Sequence, residues 1–146
     1  MDVFYEKIMR PILFSQNPEF AHDMALKAMQ VVSAVPPLRM AMEYLNLVKT
    51  QKPVKVFGLE FPNRVGLAAG FDKDAYVWRA APAFGFGHVE IGTVSKLKQA
   101  GNPKPRMFRY PFAEAVVNSC GFPNDGAEEI SKRLASVLDG NRSLTK

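Results

Sequence analysis

Gly66-Leu67-Ala68-Ala69-Gly70-Phe71-Asp72-Lys73-Asp74 is the stretch of this 146-residue chain that decides its fold. Val65 to Ala69 is a short apolar run between Asn63 and Gly70, which reads as a buried strand of the parallel type. A helix is predicted next, from about Ala75 to Phe84, stopped by Gly85-Phe86-Gly87. Val89-Glu90-Ile91-Gly92-Thr93-Val94 then reads as a second strand. Strand, helix and strand within about thirty residues make a βαβ unit. Small residues at the carboxyl end of such a strand let a flat ring or a phosphate approach the backbone. Lys73 can hold a fixed positive charge where negative charge develops. The same residues also read as a tightly packed strand followed by a polar turn with a solvated lysine.

Before this unit the texture is helical. Val3, Phe4, Ile8 and Met9 recur at helical spacing, and Pro11 is expected to end or kink that segment at about Arg10. Asn17 then caps a helix with Pro18 in its first position and Glu19 near the positive end of the dipole. Phe20, Met24, Ala28 and Val31 form its apolar stripe. Pro36-Pro37 breaks the pattern, and Leu38 to Val48 resumes it. From Pro53 the chain turns to strands and glycine: Val54 to Phe61 reads as a hairpin-like pair closing at about Gly58-Leu59. Residues 101–124 read as loop, with short extended pieces at Met107–Tyr110 and Val116–Asn118. A last helix is predicted from Asp125, as its cap, to about Val137, with Gly140 past its end.

Composition narrows the function classes. A 47% hydrophobic, 23% charged chain is globular and not a disordered tail. A single cysteine excludes an internal disulfide scaffold, and two well-separated histidines make a zinc site improbable. No run approaches the roughly 18 apolar residues of a spanning helix, and the first residues do not read as a secretory signal. The net charge of +5 concentrates in Lys96, Lys98, Lys104, Arg106 and Arg109. A short basic loop suits a small anion or lipid head groups better than nucleic acid, which usually asks for a basic helix or stripe.

Three further places hold residues able to carry chemistry. Thr93, at a strand end where parallel folds bind ligands, can bond a cofactor or cap the strand. Asn118-Ser119-Cys120-Gly121-Phe122-Pro123-Asn124 mixes amide donors and acceptors with a turn. Its asparagine can read a planar imide or carboxylate, or bond its own backbone. Cys120 lacks a local histidine to activate it as a nucleophile. His22 and His88 read on their own as a surface and a structural histidine.

In this order and spacing, the segments resemble the quinone-dependent, membrane-associated dihydroorotate dehydrogenases. The resemblance runs from about Phe4 to Val137 and rests on four pieces together: Gly66–Asp74, Glu90–Val94, Gly101-Asn102-Pro103-Lys104-Pro105-Arg106-Met107-Phe108-Arg109 and Asn118–Phe122. It implies an α/β fold: a helical, membrane-associating, quinone-access segment at 1–52, then at 53–146 the first units of an FMN-binding (β/α)₈ TIM barrel. It further implies oxidation of dihydroorotate to orotate in pyrimidine synthesis, with electrons passed to a membrane quinone. The positions matching Ala69, Gly70, Phe71, Asp72, Lys73 and Thr93 would contact FMN. Lys73 would also reach the substrate, and Asn118, Ser119, Cys120, Gly121 and Phe122 would hold it. His22 and Arg109 match residues lining the quinone tunnel. The amino-terminal helices would lie in the interface as a monotopic anchor, placing the protein peripherally on the cytoplasmic face of the cell membrane.

Two departures accompany the resemblance. The family usually has Asn or Ser where Pro123 stands. A (β/α)₈ barrel takes about 250 residues, so the barrel is expected to be incomplete here, without the later strands and their catalytic serine loop. The isolated chain is therefore expected to be inactive and to expose an unpaired strand edge. The competing reading is a non-catalytic remnant that binds membranes or a partner through its helices. No nucleic-acid partner is expected.

Overall fold

The computed structural model describes residues 3–46 and 53–142, with residues 137–142 described by backbone alone. The amino-terminal run stays helical through Pro11, against expectation. A π turn at Tyr5–Met9 hands over to α1 (Arg10–Ser15), and the Arg10 amide reaches back to the Tyr5 carbonyl. That widened turn puts Pro11 in the first turn of α1, where its missing N–H leaves no bond unmade. α2 (Pro18–Ala34) begins as predicted: the Asn17 side chain accepts from the Glu19 and Phe20 amides at 2.9 and 3.3 Å. α3 spans Pro36–Asn46. It starts earlier than expected because both prolines fit a first helical turn; the expected continuation to Val48 lies outside the described residues.

β1 (Val54–Val56) and β2 (Leu59–Phe61) pair antiparallel, with Val56 opposite Leu59. The turn is Phe57-Gly58, one residue earlier than predicted, with both residues at positive φ (52° and 77°), the geometry of a type I′ hairpin. β3 (Gly66–Leu67) and β4 (His88–Val89) pair parallel. Both of these strands are shorter than the sequence suggested. Their contact continues through single bonds instead: Gly87 N–H to Val65 O, Glu90 N–H to Leu67 O and Gly70 N–H to Gly92 O, each 2.8–2.9 Å. Gly66 is required by β4, since a Cβ there would stand 2.0 Å from the His88 imidazole. His88 also meets the Phe61 ring edge-on at 5.2 Å, a structural role.

Between β3 and β4 the predicted α-helix is a 3₁₀ helix at Trp78–Phe84. It starts late because Ala75 is left-handed (φ 56°) and Asp72 captures the next two amides. Pro82, which cannot donate, favours the short 3₁₀ form over a longer α-helix. The expected extended pieces at 107–110 and 116–118 pair with each other. β5 (Met107–Tyr110) and β6 (Ala115–Asn118) form an antiparallel hairpin with Met107 opposite Asn118. α4 (Ala127–Arg142) begins one residue later than a cap at Asp125 would place it and runs through Gly140. Gly126 (φ 88°) precedes it, packed so closely on Lys98 and Leu97 that a Cβ would overlap their backbone.

The core joins the helices to the βαβ unit. Met29 and Val32 of α2 pack with Val77, Ala80 and Ala83 at the 3₁₀ helix, and Leu26, Met42 and Phe71 close over them. The alanines let α2 and α3 approach the 3₁₀ helix closely. Burying Val77 completely stabilises this contact by roughly 1.5–3 kcal/mol. The three small sheets form no closed barrel among the described residues. No described helix is long and apolar enough to cross a membrane.

Candidate functional site

Past Leu67 the chain peels away from the β3–β4 ladder, and Gly70 turns at φ 95° while its amide stays bonded to Gly92. A Cβ at Gly70 would meet nothing within 4 Å, so the loop presents bare backbone to an open space. Asp72 sits beneath it, 1% exposed, its two carboxylate oxygens accepting from the Tyr76 and Val77 amides at 2.8 and 2.9 Å. Gly92 N–H closes the loop on the Asp72 carbonyl at 3.2 Å. Lys73 stands half-buried on the other side of this turn, with no hydrogen bond or ion pair to the described residues.

The opposite wall is built by residues 99–124. Arg106, 7% exposed, donates to Glu19 at 3.0 and 2.6 Å and to the Ala100 and Asn102 carbonyls at 2.9 Å. The Arg106 guanidinium, joined by Lys104 at 3.2 Å, holds the Glu19 carboxyl below the usual carboxylate range despite burial. This pair ties α2 to the loop of residues 99–106. Ser119 N–H reaches Arg106 O, Asn102 N–H reaches Cys120 O, and the Cys120 thiol faces Arg106 O at 3.8 Å. Gly101 (φ 75°) fits beneath, where a Cβ would stand 2.4 Å from Cys120 O.

Between the two walls lies a cavity of about 350 Å³ lined by Gly70, Lys73, Thr93, Met107, Asn118, Cys120, Gly121 and Phe122. Residues from Gly70 to Phe122 thus converge on one space. Ala69, Phe71, Asp72 and Ser119 are not on its wall. Ala69 is exposed, and Phe71 turns to the core and to His22. Asp72 is occupied by the turn, and Ser119 by backbone pairing. Met107 is a wall residue that the sequence did not single out; its place opposite Asn118 in the β5–β6 register is the signal that could have shown it. Asn118 keeps both of its open readings, facing the cavity while its Oδ1 accepts weakly from Cys120 N–H at 3.4 Å.

A crevice of about 190 Å³ adjoins the cavity, sharing Gly70, Lys73, Met107 and Cys120 and extending along α2 past His22. His22 lies within hydrogen-bonding reach of Phe71 O (Nε2, 3.0 Å) and meets the Phe71 ring edge-on at 4.9 Å. Arg109 is elsewhere, in a groove between α1 and the β5–β6 hairpin. It donates to the Leu13 and Gln16 carbonyls at 3.0 and 2.9 Å and stacks over Phe14 at 4.8 Å. The basic loop is largely spent on internal partners: Lys104 and Arg106 on Glu19, Lys98 on Asp125, Arg109 on α1. Among the described residues no cluster of His, Cys, Asp or Glu is arranged to hold a metal ion.

The family model for dihydroorotate dehydrogenase matches residues 52–144. The chain belongs to the dihydroorotate dehydrogenase family. It is 45% identical over 132 residues to the "Dihydroorotate dehydrogenase (quinone)" of Acidithiobacillus ferrooxidans, covering 89% of this chain and 36% of that one. Against the protein of the same name from Natronomonas pharaonis it is 43% identical over 131 residues, covering 90% and 37%. A solved dihydroorotate dehydrogenase of Eimeria tenella, in complex with ferulenol, superposes with a TM-score of 0.65 at 37% identity, over 82% of this chain and 30% of that one. The chain therefore spans little more than a third of the curated dihydroorotate dehydrogenases it matches.

Two residues just past the 118–122 loop have roles that their local sequence does not specify. Asn124, 4% exposed, accepts on Oδ1 from Ser95 and Gly126 amides and donates to Ser95 Oγ and Phe122 O, locking the end of the loop. Asp125 does not cap α4. It gathers Lys98 (3.1 Å), the Tyr76 hydroxyl (2.9 Å) and Arg133 (3.1 Å), and these partners, Lys98 foremost, hold its carboxyl below the usual range.

Proposed function

We propose that this chain forms the flavin- and substrate-facing amino-terminal part of a quinone-dependent dihydroorotate dehydrogenase. The observation that carries the reading is the convergence of Gly70, Lys73 and Thr93 with Asn118, Gly121 and Phe122 on one cavity. Its residues fit FMN: bare backbone at Gly70 admits a flat ring, Lys73 supplies a cation unpaired among the described residues, and Thr93 a hydroxyl. When bound, FMN would supply the two-electron acceptor for dihydroorotate oxidation.

The chain's own part is positioning and charge. Lys73 would hold its ammonium where negative charge accumulates, in a site already screened on two sides by protein. Asn118 would present amide donors and acceptors to the carboxylate or ring amide of the substrate, and Phe122 an apolar face. The crevice past His22 would connect the cavity to α2, whose Phe20 and Met24 are exposed, as are Ile8, Ile12, Met40 and Tyr44 on neighbouring helical segments. Such unburied apolar pairs at i, i+4 spacing support an interfacial membrane contact and access for a membrane quinone there. A peripheral position on the cytoplasmic face of the cell membrane follows from this reading, as do the quinone-facing roles of His22 and Arg109. The barrel's remaining strands would cover exposed Val65, Val116 and Val117.

The test is a chimera in which this chain replaces the matching third of the Acidithiobacillus ferrooxidans protein. Dihydroorotate-dependent quinone reduction is expected to persist and to fall at least a hundredfold with Lys73→Met. A chimera that folds and retains flavin but does not oxidise dihydroorotate overturns the reading.

A further inference from the structure

Among the described residues Lys73 has no partner to fix its side chain, so its aim depends on the backbone that carries it. Two carboxylates flank it in sequence and are held from opposite directions. Asp72 is anchored inward by the Tyr76 and Val77 amides. Asp74 is anchored outward, accepting from the Asp125 amide on Oδ1 at 2.7 Å. The Asp74 carbonyl in turn accepts from Arg133 of α4. Arg133 lines neither the cavity nor the crevice. Its guanidinium lies over the Tyr76 ring at 3.8 Å while donating to the Tyr76 hydroxyl and to Asp125. One planar fork thus ties the residue after Lys73, the aromatic two positions further on and the start of α4 into a single body. A guanidinium suits this task because it bonds in its plane and stacks on its face at once.

We propose that Arg133 is a positioning residue for Lys73: by clamping Asp74, Tyr76 and Asp125 it makes α4 the external brace of the loop that aims the lysine into the cavity. The proposal rests on the flavin reading above for its consequence, though not for the brace itself. Without the clamp, Asp72 still holds the inner side of the turn, so the loop remains folded but Lys73 samples a wider arc. Binding that depends on the Lys73 charge then weakens, while binding through the Gly70 backbone does not.

The experiment has two readouts on the 146-residue chain. In amide hydrogen exchange without flavin, Arg133→Met is expected to speed exchange at Asp125, whose amide donates to Asp74, at least tenfold, while Tyr76 and Val77, held by Asp72, stay within twofold. The Ser119 and Asn102 amides, bonded on the opposite wall, are expected to stay within twofold. Uniform acceleration, or none, overturns the brace. The second readout is FMN titration of the parent, Arg133→Met, Lys73→Met and the double variant. Arg133→Met is expected to weaken FMN about tenfold in the parent and less than twofold when Lys73 is already Met, since coupled residues are non-additive. Equal weakening in both backgrounds overturns the link to Lys73. If exchange separates as expected but the parent binds no FMN, the brace stands and the flavin reading fails.

Discussion

Arg106→Met is the perturbation that most sharply tests how the wall built by residues 99–124 is held to α2. Arg106 and Glu19 have side chains only 8% and 15% exposed, joined at 2.6 Å. Removing the guanidinium leaves Glu19 with Lys104 alone, on a lysine that is itself mostly exposed. It also strips donors from the Ala100 and Asn102 carbonyls. Breaking one side of a fully buried pair costs about 3–5 kcal/mol. With an edge still reaching solvent, the lower end applies, about 3 kcal/mol. At a urea dependence of about 2 kcal/mol per molar, the midpoint should fall by roughly 1.5 M. The diagnostic comparison is with Glu19→Met and the double variant, followed by circular dichroism. The double variant has no orphaned charge, so it should be no less stable than Arg106→Met alone, a coupling of about 2 kcal/mol or more. Additive losses within about 0.5 kcal/mol would refute the idea that this pair acts as a unit.

Other outcomes follow from the same geometry. Gly66→Ala should lose about 1–3 kcal/mol by overpacking on the His88 ring, and His88→Ala in the same chain should recover most of it, measured by thermal unfolding. Gly101→Ala combines a left-handed φ with overlap on Cys120 O and should cost at least about 2 kcal/mol, with no simple second-site rescue because the obstacle is backbone. Burial raises the Asp74 carboxyl above its ordinary value. Between those two values the folded chain keeps a proton the unfolded chain has shed, so this group makes stability fall as pH rises. Asp74→Asn, which still accepts from Asp125 N–H, should therefore be neutral or stabilising at pH 7 in urea titrations. Glu19 and Asp125 have the opposite sign: their depressed values give stability present above the ordinary carboxylate range and lost as pH falls through the folded values. Glu19→Gln should flatten the acid limb of the stability profile.

The parts of the site legible in the sequence were those set by local chemistry. Small residues before Gly70, the lysine at 73 and the asparagine-glycine loop at 118–122 each announce an opening or a donor, and the cavity joins them. Local chemistry also gave the Asn17 cap and the strand-to-strand crossover. The rest depended on partners distant in sequence. Nothing near Pro11 signals a π turn that accommodates it, and nothing before Ala75 signals a left-handed residue that delays the 3₁₀ helix. Asp125 looked like a helix cap because a carboxylate before a helix usually is one. Here Gly126 takes that place, freeing Asp125 for Tyr76, forty-nine positions away. Likewise Asp72 reads as a ligand in a loop, whereas its two oxygens are needed by the next turn of backbone.

The proposed function requires that Gly70, Lys73, Thr93 and the 118–122 loop form one flavin- and substrate-binding space. The most direct measurement is an amide correlation spectrum of the isotopically labelled chain titrated with FMN and then with orotate. FMN should shift Gly70, Lys73 and Thr93, and orotate should then shift Asn118, Gly121 and Phe122, while α3 stays still. Unmoved resonances at these six positions, or shifts confined to the basic surface around Lys96 and Lys98, would contradict it.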